Sequence, residues 1–144
     1  MGQPLADDLG FLLSRASGLV VRATNTALAE HGLRVRQYSV LVLACESDDG
    51  STQRELAAAL GLDPSQVVLL VDELETGGLV ERRPDPADRR TRLVVATAAG
   101  WRVREAAGAA ADAAVETPLA LLGEAERERL RDMLTRIWSA AAPG

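Results

Sequence analysis

The sequence predicts a mainly α chain with one small β-hairpin, on three observations. Apolar residues recur at i, i+3, i+4 and i+7 over most of the 144 residues, which is the period of an amphipathic helix. Between about 79 and 97 the period drops to 2, in "LVERR" and "RLVVAT", across a loop holding Pro84, Asp85, Pro86 and Asp88. Aromatics are only 3% of a chain that is 47% hydrophobic, so Ala, Leu and Val must build the core. Such side chains suit close helix packing and leave few rings to line a cofactor pocket.

Each element follows from its own signals. Leu9, Leu12, Leu13, Ala16, Val20, Ala23 and Ala27 make the stripe of a long first helix over 9–27, ending near His31 and Gly32. A short second helix is predicted from about Arg36 to Glu46, followed by the loop "SDDGS". Thr52 and Glu55 form a capping box that opens a third helix running to Leu60. Gly61 and Leu62 turn the chain, Asp63 caps, and Pro64 takes the first position of a fourth helix, where its missing N–H costs nothing. Val67, Leu70, Val71 and Leu74 give that helix its buried face, and Gly77-Gly78 stops it. After the hairpin, Thr97 caps a fifth, Ala-rich helix through "AAGWRVREAAGAAADAAVE", interrupted at Thr117-Pro118. Leu130, Met133, Leu134, Ile137 and Trp138 set the apolar stripe of a sixth.

The length suits one domain able to bury a core without disulfides or metal. One Cys and one His exclude most zinc and thiol chemistry, which needs three or four such ligands. General acid–base catalysis needs two convergent groups, and neither such a pair nor a Gly-rich phosphate loop is legible, so no catalytic residue, metal or cofactor is expected. No long uncharged apolar run and no apolar leader occur, and "MGQPLA" lacks the Ser or Thr of a myristoylation signal. No membrane partner is expected, and the cytoplasm is the default location.

The formal net charge is −5, which by itself argues against nucleic acid. Its distribution argues the other way. All 16 basic residues are Arg, and seven of them (Arg82, Arg83, Arg89, Arg90, Arg92, Arg102, Arg104) fall within 79–104 against Glu81, Asp85 and Asp88. A basic patch therefore sits on an otherwise acidic body, and a local anionic partner is implied.

Residues 52–76 spell helix, tight turn, helix, and the Arg-rich hairpin follows directly, which together make a winged helix-turn-helix. A helix fits the major groove of double-stranded DNA, while a narrow basic loop enters the minor groove. A merely solvated hairpin is the bland alternative for the 82–92 run. At "GLVERRPDPADRRTRLVVATAAG", residues 78–100, the sequence resembles the wing signature of the MarR family of transcriptional regulators. Support comes from "LAEHGLRVRQYSVL" at 28–41, "TQRELAAALGLDPSQVV" at 52–68 and the amphipathic last helix.

The resemblance implies a single module over 1–144, with a DNA-binding region at about 35–97 and dimerisation helices at about 5–31 and 98–140. It implies a homodimer on a palindromic operator, repressing until a small aromatic or phenolic effector binds. Ser65 and Gln66 are expected to meet base edges, with Arg54 from the third helix and Arg89 and Arg90 at the wing tip. Asp88 is expected to orient Arg90 by a charge-assisted bond to its guanidinium, with a wing-turn clasp as the blander reading; the two roles are compatible. Arg15, His31, Arg36 and Tyr38 are the candidate effector contacts. Two departures from the family stand out. Val68, Leu69 and Glu73 occupy positions often polar or basic, so direct readout is expected to be weak, and Glu73 would repel phosphate if it faced the groove. Ala96 replaces a larger aliphatic and bears on packing.

Other residues have blander readings. Cys45, after "SVLVLA", is read as a buried hydrophobe rather than a redox switch. His31, in "EHGL", is expected to bond a terminal helix carbonyl, and Trp101 and Trp138 to anchor a dimer core. A ligandless architectural or partner-binding helical dimer is the alternative function, and a small enzyme the less favoured third.

Overall fold

The Asp8 carboxylate accepts the Phe11 N–H at 2.8 Å and so opens α1, Leu9–Ala29, a cap absent from the sequence expectation. A computed structural model describes residues 2–141 of the chain; Met1 and 142–144, the extreme ends of the expected module, lie outside the described residues. One 3₁₀ turn, Leu5–Asp7, precedes α1 and was also not expected. Gly32 ends this segment at φ +70, a left-handed conformation that glycine adopts without a Cβ clash. α2 spans Val35–Glu46, and its first N–H, on Val35, is accepted by Asn25 Oδ1 of α1 at 2.9 Å.

α3, Gln53–Leu60, begins with the reciprocal box read from the sequence: Thr52 Oγ1 accepts the Glu55 N–H at 3.1 Å, and Glu55 Oε2 accepts the Thr52 N–H at 3.2 Å. Gly61, at φ +65, makes the turn into α4, Pro64–Thr76. β1, Val80–Pro84, pairs antiparallel with β2, Arg92–Ala96, in the register Val80↔Ala96 to Pro84↔Arg92. Ser51 pairs with β2 on its other edge, exchanging both backbone hydrogen bonds with Val94 at 3.1 and 2.8 Å. That bridge, invisible to period counting because it involves one residue, ties the loop before α3 to the hairpin.

α5, Ala98–Ala114, starts at Thr97, whose hydroxyl accepts the Gly100 N–H at 3.0 Å. It ends two residues short of the expected Glu116. Turns then carry the chain to α6, Glu124–Ala141. Arg127 holds those turns, bonding Glu116 through one nitrogen and the Leu119 and Leu122 carbonyls through the others.

The core lies between the C-terminal end of α1, α2, α3, α4, α5 and the hairpin, around Leu28, Leu41, Leu56, Val67, Val71, Leu74 and Val94. Among the described residues no aromatic is fully buried in it, and only Tyr38 packs against its edge. The stripes at the two chain ends behave differently. α1 buries only Leu28, α6 buries nothing, and α6 barely touches any other element of its own chain. Leu9, Leu12, Leu13, Trp101, Leu134, Ile137 and Trp138 are all exposed. Within one chain those stripes have no cover.

Candidate nucleic-acid interface

The four buried residues of α4 face the core, so Ser65 and Gln66 stand exposed in its first turn. Gln66 Oε1 accepts the Asp63 N–H at 3.2 Å. Its acceptor therefore already serves the helix start, while its amide N–H₂ makes no hydrogen bond among the described residues.

Every carboxylate of α4 is tied off. Arg82 of β1, whose side chain is only 18% exposed, pairs with Asp72 at 2.7 Å and Glu75 at 2.9 Å. It also donates to Gln53 Oε1 of α3 at 2.8 Å and to the Val68 carbonyl at 3.3 Å. One guanidinium thus joins wing, α3 and α4, which is what its five-donor fork is suited to. Arg82 belongs to the basic patch by sequence but not by exposure. Glu73 is held from the other side by Arg34, at 3.3 Å, and by the Gln37 amide. Glu73, which would repel phosphate if it faced the groove, therefore has its charge matched at the start of α2.

The wing turn is built by its acids. Asp88 Oδ1 accepts the Arg90 backbone N–H at 3.1 Å and Oδ2 the Thr91 hydroxyl at 3.3 Å, while Asp85 Oδ1 accepts the Ala87 N–H at 2.9 Å. Of the two roles open to Asp88, the geometry is the clasp: the carboxylate orders the Arg90 backbone and does not hold its guanidinium. Arg83 pairs with Glu81. Among the described residues Arg54, Arg89, Arg90 and Arg92 are exposed and form no ion pair, so α3 and the wing both carry free positive charge.

The four effector candidates are not gathered. Arg15 lines a shallow groove of about 350 Å³ with Phe11, Ser14, Gly18, Val21 and Arg22, to which none of the other three contributes. Arg36 is exposed on α2 and His31 half-buried in the preceding turn. The His31 backbone N–H bonds the Leu28 carbonyl at 2.9 Å, but no bond of its imidazole to a helix-end carbonyl is present among the described residues. Tyr38 is half-buried and points at α5: a Cβ on Gly108 would stand 3.1 Å from its hydroxyl and 4.0 Å from an Arg104 nitrogen. Arg104 Nε is buried there without a hydrogen-bond partner. Sequence reasoning missed this Tyr38–Gly108–Arg104 cluster, since Arg104 was counted only as charge. Cys45 is 3% exposed, and burial pushes its thiol up from the ordinary value against the opposing pull of Arg104, as befits a packed side chain.

A profile of the MarR family matches residues 31–91. CouR from Rhodococcus jostii RHA1, solved bound to p-coumaroyl-CoA, is 52% identical, with 95% of this chain and 96% of that one covered and a TM-score of 0.88. A MarR-family transcriptional regulator from Rhodococcus sp. RHA1 gives 52% identity, the same coverage and a TM-score of 0.90. A transcriptional repressor CouR bound to a 23-mer DNA duplex is 33% identical, over 92% of this chain and 94% of that one, at a TM-score of 0.84.

Proposed function

The chain belongs to the MarR family, and from that premise we propose that it is a homodimeric DNA-binding repressor, released from a palindromic operator by a small aromatic effector. The observation that carries this reading is the Arg82 hub: it locks α3, α4 and the wing into one body while leaving Arg89 and Arg90 free at the tip. Residues at about 35–97 are the DNA-binding part, and about 5–31 and 98–140 the dimerisation part. Ser65 and Gln66 approach base edges, Arg54 a phosphate, and Arg89 and Arg90 the minor groove, with Asp88 shaping the turn that presents them.

The exposed stripes of α1 and α6 support a second copy of the chain as their cover. Two copies related by a two-fold axis would place their recognition helices about one turn of DNA apart. Of the proposed effector contacts Arg15, His31, Arg36 and Tyr38, which one chain does not gather into a single pocket, Tyr38 is the one joined by Arg104, whose unpartnered Nε beside the Tyr38 hydroxyl suits an acceptor oxygen. The p-coumaroyl-CoA held by the Rhodococcus jostii neighbour supports an aromatic acid or its thioester as the effector class. No catalytic role or cofactor belongs to this reading, and the protein acts in the cytoplasm; no helix among the described residues is long and apolar enough to cross a membrane.

Selection of bound sequences from a random DNA pool is the test. Enrichment of an imperfect palindrome, with release by hydroxycinnamates or their CoA thioesters, is expected. No enriched sequence would overturn the regulator, and enrichment without release by any of these compounds would overturn the effector class.

A further inference from the structure

We propose that Leu69, flanked by Val68, reads the 5-methyl group of thymine in the major groove and so makes one thymine in each half-site a specificity determinant. The proposal deepens the operator-binding reading above and rests on it.

At 100° per residue, burial of Val67, Leu70, Val71 and Leu74 turns Ser65, Leu69, Asp72 and Thr76 to the opposite face of α4. Leu69 sits at the middle of that face and is 63% exposed; Val68, beside it, is 37% exposed. A large aliphatic at the crest of a helix gains nothing in the folded chain. It also lies away from the exposed stripes of α1, α5 and α6, for α4 packs on α2, α3 and β1. The surface around it is prepared for a polyanion. Asp72 and Glu75 share Arg82, and Glu73 is held by Arg34 and the Gln37 amide, so each of the three acids on this helix is in an ion pair, two of them with the same guanidinium. Arg82 also grips the Val68 carbonyl, which fixes the backbone beside Leu69 to the wing.

The groove offers one complementary group. Cytosine, guanine and adenine present donors or acceptors along the major-groove edge, and thymine alone among the four adds a methyl. Leu69 over a donor or acceptor would exclude water without replacing its hydrogen bond, at the cost of an unsatisfied polar group. Over a thymine methyl it buries apolar surface. Selection therefore comes both from the favourable contact and from the penalty on the other bases.

The test uses the full-length dimer and a selected operator in which each thymidine is replaced in turn by deoxyuridine, removing the methyl alone. One symmetric pair should weaken wild-type binding by about fourfold per half-site, the worth of one buried carbon. Leu69→Ala should bind the unmodified operator more weakly and be indifferent to uracil at that pair. Leu69→Gln, equally exposed and equally able to fold, should lose the methyl dependence too. If unmodified operator binds but no uracil position matters, or if Leu69→Ala keeps the same penalty, the proposal is overturned. Should Leu69→Ala leave operator affinity untouched, the residue faces a partner other than DNA and the proposal also fails. If no operator can be selected at all, the failure lies in the DNA reading, and this inference goes with it.

Discussion

The carbonyl oxygen of Leu79 lies 2.0 Å from where a Cβ on Gly100 would stand. The same oxygen accepts the Thr97 N–H at 3.0 Å, and the Thr97 hydroxyl donates to the Gly78 carbonyl at 2.7 Å. The root of the wing and the first turn of α5 are thus in backbone contact, a joint between the part proposed to bind DNA and the part proposed to dimerise. Gly100→Ala should force them apart and lower stability by about 1–3 kcal/mol, the usual cost of overpacking. Thermal and urea unfolding measure it. An unchanged midpoint would mean that the joint yields freely.

Arg82 binds two acids of the recognition helix, so removing it has two consequences. The wing loses its anchor to α3 and α4, and Asp72 and Glu75 become free to repel phosphate. Arg82→Gln is expected to lower operator affinity at least tenfold, although Arg82 itself is mostly covered. Adding Asp72→Asn and Glu75→Gln should restore part of that loss by removing the repulsion. Binding isotherms for the three proteins decide it: no recovery would assign the whole effect to the anchor.

These relationships divide the fold into what pattern makes legible and what it leaves hidden. Helix order, the Thr52–Glu55 box, the Gly61 turn and the hairpin could be read because each depends on residues at most a few positions apart. The Ser51–Val94 bridge and the Arg82 hub join residues 7 to 43 positions apart through single side chains or single residues, which leave no period in the sequence. Charge counting misled for the same reason. Arg82 and Arg83 add to the patch on paper, yet both are spent on neighbouring carboxylates. The fate of Glu73 also depended on Arg34, whose approach only the packing of α2 on α4 provides.

The exposed stripes of α1 and α6 predict that the protein sediments as a dimer at micromolar concentration. Leu134→Glu would place an unpaired charge in the seam and should dissociate or unfold the dimer. A wild-type monomer at that concentration would contradict the assembly. So would a Leu134→Glu protein that remains a folded dimer.

Cys45 titrates above its ordinary 9.0 because burial disfavours the thiolate, an effect that Arg104 opposes. Its folded pKa is raised, so its stabilising contribution is intact below 9.0 and is lost as the pH rises beyond it, where the unfolded thiol ionises first. Iodoacetamide should label Cys45 slowly in native protein at neutral pH and quickly in urea. Mild peroxide should leave operator binding unchanged. Rapid native labelling, or release of DNA by peroxide, would restore the redox reading.

Gln66 and Arg90 should fail in different ways. Because Gln66 Oε1 already accepts the Asp63 N–H, Gln66→Ala removes a helix-start bond as well as the proposed base contact, whereas Gln66→Glu keeps an acceptor there and replaces the donor by a charge. Gln66→Glu is therefore the cleaner probe. It should preserve stability while relaxing preference at one symmetric base position, by about 1–3 kcal/mol. Arg90 is ordered only through its backbone, with its guanidinium free at the wing tip. Arg90→Ala should weaken binding across most operator variants and lower the salt dependence by about one counterion per protomer, with Arg90→Lys a partial rescue. The Arg90 loss should be the larger of the two, since a recognition helix led by Val68 and Leu69 offers few hydrogen-bond donors and leaves more of the affinity to the wing. Titrating both variants against an operator substitution series at several salt concentrations separates the roles. An Arg90→Ala protein with unaltered affinity and salt slope would remove the wing from the DNA interface.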